Sequence, residues 1–311
     1  MASVRYVVFG ATGHVGGSIA NRLTEASKEV RVVGRSEERL RASANRGAET
    51  AIGDVTDAAF VHRALTGAHA AFVLLPPNFG PGVRAWQDRV AGILGDGIEK
   101  NRVPYVVVLS SVGADRGDRN GPIAGLHVLE QRLDRIPGLN ALCLRPGSFF
   151  ENHLTTIDLV RAVGVNGGAL RADLRIPQIA TRDIARTATR RLLALDWKGR
   201  EVQDLHGERD LSMEEATSAL GAAIGRPDLK YVQLPEADAK KGMMQAGLPE
   251  EMATLLIEMS RGLNEGHIKP TQPRSAATTG QTSIEEWART VYAPAFRMRE
   301  AAEQQPAAPS P

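Results

Sequence analysis

The chain has little cysteine, few aromatic residues and no long apolar run. Cys143 is the single cysteine among 311 residues, which excludes an internal disulfide and fits a small buried side chain in a reducing compartment. No apolar stretch approaches the roughly 18 residues of a membrane-spanning helix, and the amino terminus enters a strand without the pattern of a secretory signal. We therefore expect a cytoplasmic protein that does not enter a membrane.

An excess of one charge is also missing. The 38 lysine and arginine residues nearly balance the 36 aspartate and glutamate residues, for a formal charge of +2. With no long basic run, direct binding to nucleic acid is not expected. No cluster of histidine, cysteine and aspartate has the spacing of metal ligands, so we predict no metal.

What the chain does have is a glycine-rich turn near its start. Residues 4–19 read VRYVVFGATGHVGGSI, an apolar strand running into Gly10-x-x-Gly13-x-x-Gly16 and then a helix. That spacing suits a tight turn, a bare backbone that a pyrophosphate can approach, and close packing of helix on strand. The helix N-terminus would attract the phosphates. A glycine-rich turn between a strand and a helix can be purely structural. Here the second strand at 30–34 provides the strand-helix-strand context that a nucleotide-binding turn requires.

Apolar strands then alternate with amphipathic helices along the first half. Strands that are apolar on both faces indicate a parallel sheet covered by helices on both sides. We predict an α/β fold with a doubly wound parallel Rossmann sheet. The expected strands are 4–9, 30–34, 48–52, 70–75, 103–109 and 139–144, and the expected helices are 36–45, 57–65, one starting at 83, and 122–135.

The second half reads as a smaller, helix-rich C-terminal lobe. We predict an NAD(P)-binding domain at 1–150, with its sheet completed by segments up to 207, and an interleaved lobe at 151–300. This lobe would close over the carboxyl edge of the sheet, where open α/β sheets bind their ligands. Residues 301–311, rich in alanine, glutamine and proline, are expected to be disordered.

The end of the second strand bears on the choice of nucleotide. An acid there binds the ribose hydroxyls of NAD, whereas a cation neutralises the extra phosphate of NADP. This strand is followed by Arg35 and Ser36, which suit a phosphate monoester. We expect NADP(H) to be preferred over NAD(H). Arg35 as a solvated residue, or Glu37 and Glu38 turned inward, are the alternatives.

Other strand ends should line the same cleft. Each of them could also be an ordinary turn at the end of a strand. The prediction rests on all of them following parallel strands at the same edge of the sheet. The expected positions are Asp54 and Val55 near the adenine, Leu75, Pro76 and Pro77 along the ribose, and Ser110 and Ser111 near the nicotinamide.

With these residues in view, the chain resembles the NmrA-like branch of the atypical short-chain dehydrogenases/reductases. The resemblance covers most of the chain, in the family's order. The matching segments are GATGHVG (10–16), VVGRS (32–36), GDVTD (53–57), VVVLSSVGAD (106–115), LRPGSFFEN (144–152), TRDIA (181–185) and LHGERDLSMEEA (205–216).

The resemblance implies a Rossmann fold and a nicotinamide nucleotide. By the same resemblance, Arg35 would bind the 2′-phosphate. His14 equally fits a solvent-facing position. The residues that would wrap the pyrophosphate are Gly10, Ala11, Thr12, Gly13, His14, Val15 and Gly16, and those that would border the nicotinamide are Pro146, Gly147, Phe149 and Asn152.

The usual proton donor of this superfamily is missing. Its typical reductases carry Tyr-x-x-x-Lys on the helix after the fifth strand, whereas this helix reads GPIAGLHVLEQRLDRI. His127 on this helix is the candidate catalytic donor, and Ser111 is a candidate to orient a substrate carbonyl. A purely structural role is the alternative for both, and His153 is a further residue that could face the pocket.

Two main functions fit these observations. The first is an NADPH-dependent oxidoreductase that transfers hydride to a quinone or another small carbonyl or conjugated acceptor without a Tyr-x-x-x-Lys pair. The acceptor would bind in the cleft between the sheet edge and the C-terminal lobe. The alternative is a non-catalytic NADP(H)-sensing regulatory protein that binds a protein partner, and a homodimer is also open. An isomerase or lyase ranks below both.

Overall fold

The computed structural model describes residues 5–304, with side chains described as far as residue 300. The strands are β1 (Arg5–Phe9), β2 (Glu29–Gly34), β3 (Glu49–Ile52), β4 (Ala70–Leu74), β5 (Tyr105–Leu109), β6 (Asn140–Pro146), β7 (Ser148–Phe149), β8 (Asn166–Gly168), β9 (Ile176–Ile179), β10 (Arg200–Leu205), β11 (Asp210–Leu211) and β12 (Tyr231–Gln233).

The α-helices lie between and after these strands. They are α1 (His14–Glu25), α2 (Glu37–Ala44), α3 (Ala58–Leu65), α4 (Val83–Lys100), α5 (Ile123–Asp134), α6 (Ile157–Val163), α7 (Thr181–Ala194), α8 (Met213–Ala223), α9 (Glu236–Gln245), α10 (Glu250–Asn264), α11 (Ile284–Trp287) and α12 (Ala293–Gln304). A 3₁₀ segment covers Phe150–Thr156, and a π-helical turn at Ala288–Tyr292 joins α11 to α12.

Seven strands form one parallel sheet. Their order is β10-β6-β5-β4-β1-β2-β3, and Val8 of β1 pairs with Val32 on one side and Phe72 on the other. The chain reverses its direction of winding between β1 and β4, which makes this junction the topological switch point where ligands bind. The predicted doubly wound α/β fold is confirmed.

Alternate side chains of the central strands pack into two separate cores, one on each face of the sheet. Tyr6 and Val8 pack under α1 and α7 on one face, whereas Val7 and Phe9 pack on the other face, which α3, α4 and α5 cover. Cys143 is fully buried in the second core, and burial raises the pKa of its thiol. The cysteine is therefore a packing residue, as expected from its apolar neighbours.

The C-terminal lobe combines two small sheets with helices. Its sheets have the orders β11-β9-β7 and β12-β8. One of its cores gathers around the fully buried Trp287 and Tyr292. The helices from residue 284 onward were not predicted from the sequence. The tail predicted as disordered at 301–311 begins inside α12, which runs to Gln304, and residues 305–311 lie outside the described part of the chain.

A strap, residues 271–282, runs along the outer edge of β10. His206, just past this strand, donates its N–H to the carbonyl of Thr278 and accepts from the N–H of Gly280, both at 2.7 Å. The carboxylate of Asp204 accepts the N–H of Gln272 at 2.8 Å. The strap thus occupies the hydrogen-bonding edge that β10 leaves open.

No helix between residues 5 and 304 is both long enough and apolar enough to cross a membrane.

Candidate cofactor crevice and active site

The glycine turn after β1 has the geometry that its spacing predicts. Gly10 has φ +64°, in the left-handed region that favours glycine, and its carbonyl accepts the N–H of Gly13 at 2.9 Å. A Cβ on Gly16 would collide with that same carbonyl. The three glycines therefore allow a tight turn and close contact between β1 and α1.

The first turn of α1 is left without a side-chain cap. Its N-cap residue is Gly13, which offers no side-chain acceptor, whereas α2 is capped by Ser36 and α3 by Asp57. Open N–H groups at a helix N-terminus favour an anion. Gly13 and His14 are exposed beside it, while Ala11 and Val15 are buried beneath. The site thus presents bare backbone to solvent where a pyrophosphate would bind.

This turn lies at the switch point of the sheet. A Cβ on Gly10 would come within 2.6 Å of Cδ2 of Leu74, the last residue of β4. Leu75, Pro76 and Pro77 continue from there as a loop that is partly exposed. The predicted ribose-side residues consequently start next to the glycine turn.

Arg35 is exposed at the end of β2. No hydrogen bond or ion pair engages its side chain among the described residues. The guanidinium lies near Asp54, whose pKa is lowered mainly by hydrogen bonds from the hydroxyl and N–H of Thr56 and to a smaller extent by the charge of Arg35. Asp54 is therefore held by its own turn, and Val55 packs on the core. Arg35 is left with a free cationic head.

Arg39 is a further cation at this site that the sequence pattern did not single out. Its guanidinium donates to the carbonyl of Thr12 at 3.1 Å, so a second cation lies against the glycine turn. The spacing in the sequence could have indicated this position, because Arg39 follows Arg35 by four residues. Arg39 lies in the first turn of α2, where the hydroxyl oxygen of Ser36 accepts its N–H.

Ser110 differs from its predicted role. It is only 3% exposed, and its hydroxyl donates to Glu130 at 2.5 Å. Glu130 is in turn held by a two-pronged contact from Arg145, with Arg200 as a further donor. The Ser110 side chain is consequently committed to a buried ionic network and does not support the predicted cofactor contact.

Ser111 and His127 both engage the segment between β5 and α5. Ser111 is half-buried and donates to the carbonyl of Val112 at 3.0 Å. His127 is half-buried, and its Nδ1 lies 2.9 Å from the carbonyl of Ala114, which fixes the proton on Nδ1. Its Nε2 lies 3.5 Å from the position of a Cβ on Gly117. The two predicted catalytic side chains thus flank the same loop.

That loop, residues 113–121, is fastened to the C-terminal lobe. Glu258 of α10 accepts the N–H of Gly121 at 3.2 Å. Beyond α10, His267 accepts from Arg119 at 2.9 Å. The loop is also braced from inside by Asn120, which donates to two of its carbonyls. It therefore forms a fixed wall between α5 and the lobe.

The turn after β6 carries the remaining predicted contacts. The N–H of Gly147 donates to Leu205 at 3.0 Å, and a Cβ on this glycine would strike the carbonyl of Pro177. Pro146 is buried, Phe149 half-buried and Asn152 exposed. These residues lie at the same edge of the sheet as the glycine turn.

His153 lies buried in the lobe, and the alternative that it faces the pocket is not supported. Its Nε2 lies 2.9 Å from Oε1 of Gln178, and burial lowers the pKa of its ring. Among residues 5–304, no three histidine, cysteine, aspartate or glutamate side chains cluster as metal ligands would.

A family model for NAD(P)H-binding proteins matches residues 10–194, from the glycine turn through α7. The chain belongs to the NAD(P)H-binding family. Together with the shared fold described below, this match confirms the NmrA-like resemblance. Among curated proteins of similar sequence, a (4-alkanoyl-5-oxo-2,5-dihydrofuran-3-yl)methyl phosphate reductase from Streptomyces griseus is 28% identical over 275 residues, which are 88% of this chain and 93% of that protein.

Solved structures share the fold of this NAD(P)H-binding chain. An NADPH-dependent quinone oxidoreductase from Escherichia coli, complexed with NADPH, superposes with a TM-score of 0.79 at 22% identity, covering 93% of this chain and all of that one. The negative transcriptional regulator NmrA, in complex with NADP, superposes with a TM-score of 0.75 at 18% identity, covering 98% and 99%. One fold thus serves both a reductase and a regulator.

Proposed function

We propose that this chain is an NADPH-dependent oxidoreductase that reduces a conjugated acceptor, such as a quinone or an α,β-unsaturated carbonyl compound. The observation that carries the proposal is the uncapped first turn of α1 at the switch point of the sheet, in a family that binds NAD(P)H. The Streptomyces relative supports the acceptor class, because a 5-oxo-2,5-dihydrofuran is an unsaturated lactone.

The nucleotide would be held by backbone on one side and by cations on the other. The open N–H groups after Gly13 would receive the pyrophosphate. Arg35 has a free guanidinium suited to the 2′-phosphate of NADP, and Arg39 stands against the same turn. These two charges are our reason for favouring NADP(H) over NAD(H).

The reduction of a conjugated acceptor requires few catalytic groups from the protein. When bound, NADPH supplies a hydride whose electron pair adds to the electron-poor carbon of the acceptor, so that the displaced pair moves to the acceptor's oxygen. In a conjugated acceptor that charge is spread over an enolate or phenolate, and holding the acceptor in place is the main requirement. We assign the final proton to Nε2 of His127. Because the Nδ1 proton is held by the carbonyl of Ala114, Nε2 donates from the imidazolium, which is left as the neutral ring and regains its proton from solvent. Ser111 would orient the carbonyl by turning its hydroxyl from the carbonyl of Val112 to the acceptor.

A nucleotide-sensing regulator is the second candidate. Its support is the fold shared with NmrA and the absence of both tyrosine and lysine from α5. The discriminating experiment mixes purified protein with NADPH and quinones, aldehydes or enones, follows the loss of NADPH absorbance, and measures nucleotide binding in parallel. We expect oxidation with quinones or enones. Tight NADPH binding without oxidation across the panel would overturn the reductase in favour of the sensor.

A further inference from the structure

Phe79 is unlike every other aromatic residue of this protein. All fourteen phenylalanine, tyrosine and tryptophan residues lie within residues 5–300, and Phe79 is the only exposed one, with 60% of its surface accessible. The others are buried or half-buried. A single exposed apolar side chain is common on protein surfaces and marks no site by itself, so the place of Phe79 in the fold decides what the ring can contact.

Phe79 lies on a loop that starts at the crevice edge of the sheet. It lies on the acceptor loop, which we define as residues 75–82, between β4 and α4. Leu74, immediately before this loop, packs on Gly10 of the glycine turn. Phe79 therefore follows by five residues the point where β4 meets the glycine turn, on a loop that leaves the ligand-binding edge of the sheet.

The acceptor loop is held in shape. Pro76, Pro77 and Pro81 restrict its backbone, and Oδ1 of Asn78 accepts the N–H of Gly80 at 2.9 Å. Its far end is fixed by Glu251, whose carboxylate accepts the N–H of Gly82 at 2.7 Å. A ring on such a loop loses little backbone freedom when it binds a ligand.

We infer that Phe79 is a specificity-determining residue that packs against planar, conjugated acceptors. This inference rests on the proposed function and narrows its substrate class. A flat ring system offers an offset-stacked or edge-to-face contact with the phenyl ring, whereas a small acyclic enone covers little of it. The side chain thus favours ring-containing acceptors over acyclic ones that have the same reacting group.

The test compares menadione with the acyclic enone mesityl oxide in the wild type, Phe79→Ala, Phe79→Tyr and Val163→Ala. Val163 is a matched control because it is also 60% exposed but ends α6 in the lobe. Titration calorimetry on protein saturated with NADP⁺ measures menadione binding without turnover. NADPH oxidation gives KM for each acceptor.

We expect Phe79→Ala to weaken menadione binding and raise its KM by about tenfold, with KM for mesityl oxide unchanged. Phe79→Tyr and Val163→Ala should match the wild type. Unchanged menadione binding in Phe79→Ala, equal losses for both acceptors, or no menadione binding at all would overturn the inference. Menadione binding that depends on Phe79 without any NADPH oxidation would support it and overturn the reductase instead.

Discussion

The carboxylate of Glu251 caps the first turn of α4 by accepting the N–H of Val83 at 2.7 Å. Its other oxygen accepts the neighbouring N–H of Gly82 at the same distance. Seven residues along α10, Glu258 binds the N–H of Gly121. One helix of the C-terminal lobe therefore fastens the two loops that follow β4 and β5.

We predict that Glu251→Gln loosens the acceptor loop. A glutamine has one acceptor oxygen and no charge, so the variant should lose about 1–2 kcal/mol of unfolding free energy. Hydrogen exchange should accelerate at Gly82 and Val83. Glu250→Gln is the control, since its surface pair with Lys240 is worth under about 1 kcal/mol. Equal exchange in both variants would contradict the capping role.

We predict that Arg35→Ala weakens NADP⁺ binding by tenfold or more, because it removes charge-assisted hydrogen bonds worth about 1.5–3 kcal/mol. NAD⁺ binding should be unchanged. Arg39→Ala should act in the same direction, whereas Arg41→Ala, on the last turn of α2, should have no effect. Calorimetric titration with both nucleotides gives the answer. The preference for NADP fails if NAD⁺ binds the wild type as tightly, or if Arg35→Ala leaves NADP⁺ affinity unchanged.

We predict that His127→Ala lowers kcat by about a hundredfold with an enone acceptor while NADPH binding stays intact. A quinone should be affected less, because its reduced form is a stabilised phenolate. His62→Ala, an exposed change on α3, is the control. Full turnover in His127→Ala with intact nucleotide binding would remove this histidine from the reaction.

We predict that His153 makes the protein less stable in mild acid. Because the folded state lowers its pKa, the unfolded chain takes up a proton first as the pH falls below about 6.5. Stability should therefore be highest above that pH and drop by at most about 1.4 kcal/mol per pH unit below it, until the folded pKa is reached.

Urea unfolding at about pH 7.5 and about pH 5.5 measures this effect. His153→Asn should show a smaller loss between the two conditions, whatever its absolute stability. Burial is also the main cause of the lowered pKa of His206, which acts in the same direction. A double variant that replaces both His153 and His206 should therefore show the smallest change in stability between the two pH values. An identical slope in the wild type and His153→Asn would contradict the assignment.

Local signals were enough to predict β1 to β6, the starts of α2 to α5 and the glycine turn. Ser36 and Asp57 cap the helices that follow them, because a short polar side chain before an apolar-periodic stretch is a local signal. Gly10 and Gly16 are required by backbone geometry within a few residues of themselves. Features of this kind can be derived from a sequence alone.

Features that depend on distant partners could not be predicted. Nothing near Ser110 in the sequence reveals that its hydroxyl is bound to Glu130, which is neutralised by Arg145 from the next strand. The capping of α4 by Glu251 and the helices after 284 likewise depend on tertiary packing. The candidate catalytic residues carry no motif of their own, whereas the glycine turn has a recognisable spacing, so the sequence predicts the nucleotide side of the site in more detail than the catalytic side.

The strap over β10 also has a consequence for the order in which the molecule is made. During synthesis β10 leaves the ribosome well before residues 271–282, so its outer edge and the buried Asp204 have no partner until the strap has emerged. Six strands of the sheet can form in the order of their synthesis, but the edge of the seventh is covered only after residue 282 has emerged. Release of the nascent chain before Thr282 would leave an open sheet edge, which is a template for aggregation.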